Sequence, residues 1–270
     1  MVYRGRAIPI IWKVLEHPSS SVAYDVYKDL LDRSAQLLPL HCKGIFCADR
    51  GFADTPLMAH RRSWNWHWRI RIKGSCWIDR GDDHRSKVNR IALSSGEARF
   101  WHGIYIPARR DGPVHLAMAR SPESTEQWFV VSDEPTDMNT FEEYGLRFDS
   151  EENFLDNPSH GFPLESSLIR SAEALERLCC VLAVATLYLV SQGVEVVTQG
   201  KRQWVDPHWF RGSSYLKIGW HWVTRARSHG YELMTRVQLS AEADPEPARA
   251  SKSQPQPRRF FVRESQDAAA

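Results

Sequence analysis

Along residues 64–73, WNWHWRIRIK, apolar and polar side chains alternate without a break. Trp64, Trp66, Trp68, Ile70 and Ile72 fall on one face, and Asn65, His67, Arg69, Arg71 and Lys73 on the other. A period of two belongs to a strand, so the pattern predicts a half-buried strand with a strongly basic outer face. The short apolar run Gly44–Ala48 predicts a second, buried strand. RAIPIIWKVLE, residues 6–16, predicts a third, which Pro9 confines to a sheet edge because proline cannot donate to a ladder. Between them Val22, Val26, Leu30 and Leu37 or Leu38 repeat at helical spacing. They predict a helix over 22–38, capped by the serines of HPSSS (17–21) and stopped by Pro39. Asp54-Thr55-Pro56 opens a short helix to about Arg62, with a capping residue and a first-turn proline. Strand, helix, strand, helix, strand is the order of an α/β sheet with parallel pairs.

Between Gly74 and Pro135 the pattern changes to short strands separated by polar, glycine-containing loops. Phe100–Ile106, Val114–Ala119 and Trp128–Val131 predict a small all-β insertion. Helical spacing returns at Thr140, which with Glu143 fits a capping box, and runs to about Asn157, before Pro158. A long helix is expected over about Glu165–Gln192, and a shorter one over Ser214–Ser228 with Leu216, Trp220 and Val223 on one side. From Ala241 the chain is mostly Ala, Glu, Pro, Ser, Gln and Arg, which predicts a disordered tail. The expected parts are therefore 1–73, an insertion over 74–135, a helical part over 136–240, and a tail over 241–270. No internal repeat is evident.

Charge is close to balance, with 35 basic and 33 acidic side chains in 270 residues. That total neither supports nor excludes a nucleic-acid partner. Five irregularly placed cysteines make no disulfide framework, which points to a reducing cytoplasm. Adjacent Cys179 and Cys180 are expected to pack as small apolar groups. The longest apolar run, Leu178–Val190, has 13 residues, short of the ~20 a bilayer requires. It predicts a buried core helix and no membrane partner. MVYRGRAIPI lacks the charged-then-apolar order of a signal peptide. Eleven tryptophans fit either a large aromatic core or surfaces that stack on bases or sugars. A carbohydrate-binding reading lacks any repeated aromatic platform.

Two places carry candidate chemistry. Asp49 ends an apolar strand in GIFCADRGFAD (44–54), where it either starts a turn or is held out for chemistry. Tyr144, Arg147 and Glu151 are spaced i, i+3, i+7 and share one helical face. Spacing alone favours a solvated face with an Arg–Glu pair over a functional constellation. His41, Cys42 and Cys47 lack a second ligand pair and make no convincing metal site. Asp82-Asp83-His84 reads as a solvated loop.

Several segments together resemble a specific family. They are YRGRAIPI (3–10), CADRGFAD (47–54), WRIRIK (68–73), YGLRFDSEENFLD (144–156), GFPLESSLIRSAEALERLCCVLA (161–183), and WVDPHWFRG with SYLKIGW over 204–220. The chain resembles the catalytic part of bacterial insertion-sequence transposases of the DDE type, marked by a Tyr-x2-Arg-x3-Glu-x6-Lys signature. The resemblance extends over about residues 3–240. It implies a ribonuclease-H-like mixed sheet flanked by helices, with an all-β insertion before the glutamate-bearing helix. It also implies a cytoplasmic, nucleoid-associated protein that acts on double-stranded DNA at element ends and targets. Asp49 and Glu151 match the second and third acids of the family's triad, and Tyr144 and Arg147 match residues used near DNA phosphates. Such carboxylates hold Mg²⁺ or Mn²⁺, and two ions about 3.5–4 Å apart activate the attacking oxygen and stabilise the leaving one.

The resemblance also carries departures. The family's first strand and its Asp precede the segment matching YRGRAIP, whereas this chain starts at Met1 just before it. The signature's lysine position holds Pro158. An incomplete sheet lacking the first acid is the expectation, and with it a chain that does not cleave DNA alone. The alternative function is a non-catalytic DNA-binding fragment that binds element ends or intact transposase and inhibits transposition, the partner being a second copy of the chain or intact transposase. Arg69, Arg71 and Lys73 are expected to contact phosphates, since no acid interrupts His60–Lys73. Trp101 and Trp128 are expected to fill the insertion's own core, the alternative being stacking on an unpaired base.

Overall fold

The computed structural model describes residues 1–16, 22–39, 42–53, 57, 66–81, 84–107, 111–122, 126–148, 167–247 and 261–262. These form two compact units. One joins the N-terminal segment 1–16 to residues after 148, and the other is built from residues 17–147 with the last few residues of the chain.

The second of these units is built on a mixed sheet of eight strands. They are β3 (Ile45–Ala48), β4 (His67–Arg71), β5 (Trp77–Asp79), β6 (Arg85–Lys87), β7 (Glu97–Ile106), β8 (Asp111–Arg120), β9 (Gln127–Ser132) and β10 (Phe261–Val262). The order is β3-β4-β9-β8-β7-β5-β6, with β10 parallel to the start of β7. β3 and β4 are parallel, as the alternating order predicts, and β9 closes on β4 antiparallel. The strands read as a separate insertion therefore extend the same sheet, and β5 and β6 are additional to those expected. Gly103, with φ 71°, sits where the β7–β8 register shifts, a bulge that only a residue tolerant of the left-handed region makes without strain.

Each row across the sheet keeps one character because side chains alternate faces along a strand. Ala48, Ile70, Val131, Leu116 and Trp101 are successive cross-strand partners, and all belong to the main apolar core. Trp68 and Ile72 bury on the same face of β4, so the period-two reading of WNWHWRIRIK has the right phase. Trp101 is a core residue. The neighbouring row, Cys47, Arg69, Ser132 and His115, is polar.

Among the described residues, two α-helices belong to this unit. Helix α1 spans Tyr24–Leu37 and starts from Ala23 without a side-chain cap; residues 17–21, the expected capping serines, lie outside the described residues. Most of the helix expected over 54–62 lies outside them too. Helix α2, Met138–Gly145, packs on β3, β4 and β9. Its capping box is Asp137 with Thr140, which exchange reciprocal bonds of 3.2 and 3.0 Å, rather than Thr140 with Glu143. Glu143 is instead turned toward β4. The rest of the helix expected to Asn157, with Glu151 and Pro158, lies outside the described residues after Phe148.

In the other unit, residues 6–16 do not form the expected edge strand. Only Arg6–Ala7 (β2) pairs, with Val2–Tyr3 (β1), through a tight turn at Arg4 (φ 54°) and Gly5 (φ 70°). Helix α3 runs from Ala172 to Thr198 and α4 from Tyr215 to His229, capped by Ser171 and Ser214, with Gly230 (φ 71°) ending α4. By length and composition α3 alone among the described helices suffices to cross a membrane. Half of its most apolar stretch is buried in the structure, as in a core helix. The contact with α4 is set by two glycines. A Cβ on Gly193 would meet the Tyr215 carbonyl, and one on Gly219 the Leu189 carbonyl, so the two backbones touch. That contact rotates α4 so that Tyr215, Ile218, Trp222 and Ala226 are buried, while Trp220, expected on the packed side, is 54% exposed.

Part of the expected disordered tail is ordered. Tyr215 Oη donates to Asp244 Oδ1, Arg211 Nη2 to Asp244 Oδ2 at 3.2 Å, and buried Arg202 Nε to Glu246 Oε2 at 2.9 Å. Arg202 Nη1 also donates to the carbonyls of Asp206 and His208 at 2.8 and 2.9 Å. Two buried guanidiniums thus hold residues 244–246 in place, which composition alone did not foretell.

Candidate functional site

Asp49 leaves the C-terminal end of β3, half-buried. Its Oδ1 accepts from the Gly51 amide at 2.8 Å, and its carbonyl accepts from the Phe52 amide at 3.1 Å. The turn reading is therefore realised in the geometry. The carboxylate is also close enough to α2 to act on the phenol of Tyr144.

Tyr144 is fully buried at the end of α2. Its ring meets Trp128 of β9 edge-on at 5.7 Å, a favoured aromatic geometry, and the Arg147 guanidinium lies 5.6 Å from it. Burial pushes the phenol above its ordinary range; Arg147, by charge and hydrogen bond, and Arg71 oppose the rise, and Asp49 adds to it. Arg71 reaches Trp128 at 5.8 Å and donates to Glu126 at 2.6 Å. Asp49, Tyr144, Arg147, Arg71, Trp128 and Glu126 thus gather at one end of β3, β4 and β9. Glu151, the remaining site residue, lies outside the described residues.

The basic strand face needs correction. Arg69 is not an outward phosphate contact: its side chain is 5% exposed. Its Nε donates to Glu143 Oε2 at 2.7 Å, Nη2 to Glu134 Oε2 at 2.8 Å, and Nη1 to Ser132 Oγ and the Trp68 carbonyl at 3.0 Å. Arg71 is 14% exposed and paired with Glu126. Of the three cations expected to meet DNA, only Lys73 is exposed. The strand carries no acids of its own, but β9 and α2 deliver Glu126, Glu134 and Glu143 to it from far along the chain. DEP after WFVVS was the available signal, acids leaving a strand that could pair with a basic one. Burial pushes Glu134 up, yet hydrogen bonds from Lys43 and Arg69 overcome this and hold its carboxyl below the usual range. Cys47, in the same row, donates to the Glu143 carbonyl, and burial pushes its thiol up to about 11.

No protein-family model and no curated protein matches this sequence. Function has to be argued from the geometry.

A divalent-ion site can be tested against these residues. Among the described residues no three His, Cys, Asp or Glu side chains gather as ligands. Asp49 has one oxygen committed to its turn, Glu126 is paired with Arg71, and Glu134 and Glu143 are taken by Arg69. Mg²⁺ needs carboxylate oxygens with free lone pairs. The described residues therefore do not fit the metal pair that the resemblance implies, and no chemical step is derived through one.

Proposed function

We propose that this chain is a DNA-transposition protein of the DDE transposase type, built on a ribonuclease-H-like sheet, that engages double-stranded DNA where β3 ends. The observation that carries the reading is that Asp49, at the end of β3, bears by charge on the buried Tyr144, against whose ring Arg147 lies. These residues are almost a hundred positions apart, and the resemblance names all three. A mixed α/β sheet with β3 parallel to β4 is compatible with that fold. Ligands of open α/β sheets bind beyond the carboxyl ends of the strands, where Asp49 stands. Arg147 and exposed Arg50 and Lys73 supply the phosphate contacts in this reading, and Arg69 does not.

A second reading, a DNA-binding or transposase-inhibiting protein without catalysis, is favoured by the engaged Oδ1 of Asp49 and by the lack of any group of three metal-ligating side chains among the described residues. One experiment separates the two. Purified full-length chain is titrated with duplex DNA at low and moderate salt, and nicking is followed with Mg²⁺ and with Mn²⁺. Both readings expect binding that weakens steeply with salt and is reduced by Arg147→Ala. Nicking abolished by Asp49→Ala selects the enzyme; binding without nicking selects the second reading. Absence of binding at low salt refutes both.

A further inference from the structure

His102 on β7 and His115 on β8 belong to neither the β3 end nor the Arg69 cluster. Their Nδ1 atoms are 3.1 Å apart and their ring centroids 5.2 Å apart. The strands place them there. Trp101 pairs with Leu116 and Ile104 with Val114, so His102 and Gly103 together face His115 across a bulge. Bulges re-aim side chains, and this one contains His102. His102 is exposed and His115 half-buried, so the nitrogens are reachable from solvent.

We propose that His102 and His115 form a two-histidine site for a borderline divalent transition-metal ion such as Zn²⁺ or Ni²⁺. Imidazole suits these ions, whereas Mg²⁺ prefers oxygen, so the site differs in chemistry from the acidic one implied by the resemblance. Two nitrogens each about 2.0–2.1 Å from one tetrahedral ion lie about 3.3–3.4 Å apart, so the observed 3.1 Å is a few tenths of an ångström short and a small side-chain adjustment seats the ion. Without metal, the same approach accommodates one proton shared between the two Nδ1 atoms. On binding, both Nδ1 lone pairs go to the ion, and the ring that carried the shared proton takes it up at Nε2. Water fills the remaining positions. Asp133 adds negative charge near His115. Burial, and then His102, hold the His115 imidazole below its ordinary range, in the neutral form that ligates. The ion would clip β7 to β8 at the bulge, where the ladder is interrupted.

The test is calorimetric titration of the full-length chain with NiCl₂ and ZnCl₂ near neutral pH, together with thermal unfolding with and without the ion. The expected result is one equivalent bound, a raised unfolding midpoint, and affinity at least tenfold lower in His102→Ala and in His115→Ala. His102 is exposed, so its variant keeps the fold, and its midpoint without metal should match the parent. His221→Ala, exposed on α4 in the other unit, serves as a comparison and leaves the affinity unchanged. No binding by the parent chain, or binding unaltered in both His102→Ala and His115→Ala, overturns the proposal.

Discussion

Arg69 donates through Nε to Glu143 at 2.7 Å, tying the middle of β4 to helix α2. The same helix carries Tyr144, and Arg147 follows in the turn beyond it, so the placement of the candidate site depends on this buried pair. Removing Arg69 strands two partly exposed carboxylates and empties the space its side chain fills. Arg69→Ala should therefore cost about 1.5–3 kcal/mol, read as a lower urea midpoint. Arg69→Met should be milder, since it refills that space, although it strands the same two glutamates. If Arg69→Ala unfolds at the parent midpoint, the cluster is not what holds α2.

Where α3 meets α4, neither Gly219 nor Gly193 has space for a methyl group. Gly219→Ala should push the helices apart at a cost of about 1–3 kcal/mol or more, seen as a lower thermal midpoint. Gly145 is the contrasting case, because nothing lies within 4 Å of a Cβ placed there. Gly145→Ala should leave stability unchanged or raise it by up to about 1 kcal/mol, the helix-propensity difference.

Thiol chemistry should separate the cysteines. Cys47 is half-buried with its thiol raised to about 11, whereas Cys42 and Cys180 are exposed. The thiolate is the reactive form. At pH 8 a disulfide reagent should label Cys42 and Cys180 rapidly and Cys47 only slowly, with Cys47 becoming fast in denaturant. Mass spectrometry of the labelled peptides measures this, and equal rates in the folded chain would contradict the burial of Cys47.

Acid should weaken the sheet through Glu97. Burial pushes its carboxyl up, but the Ser94 amide at 2.7 Å and the Arg99 guanidinium at 2.5 Å outweigh this and hold it below the ordinary range. A carboxyl depressed in the folded state contributes stability above its unfolded pKa, about 4.3 for glutamate, and loses it as the pH falls through the folded value. The urea midpoint should hold near neutrality and fall below about pH 4, and Glu97→Gln should flatten part of that fall.

Much of the local structure was legible in the sequence for local reasons. Alternation along WNWHWRIRIK set the buried face of β4, with Trp68, Ile70 and Ile72 inward. The helix expected over Ser214–Ser228 is α4, Tyr215–His229, because helical spacing is a property of a single segment. The order of apolar runs foretold β3 parallel to β4. The family resemblance names Asp49, Tyr144 and Arg147 together, whereas spacing alone left Tyr144 and Arg147 on a solvated face.

What only the tertiary structure decided was the partner of each charge and the rotation of each helix. Arg69 reads as a phosphate contact along β4, and becomes a buried structural cation because β9 and α2 bring Glu134 and Glu143 to it. Trp220 reads as a packing residue, and faces outward because two glycines let α3 and α4 approach in another phase. His102 and His115 carry no signal in their spacing and meet only through the register of β7 on β8. Periodicity and capping act over a few residues and are written in one segment. Charge pairing and close packing depend on groups that folding brings together from distant segments, and no single segment records them.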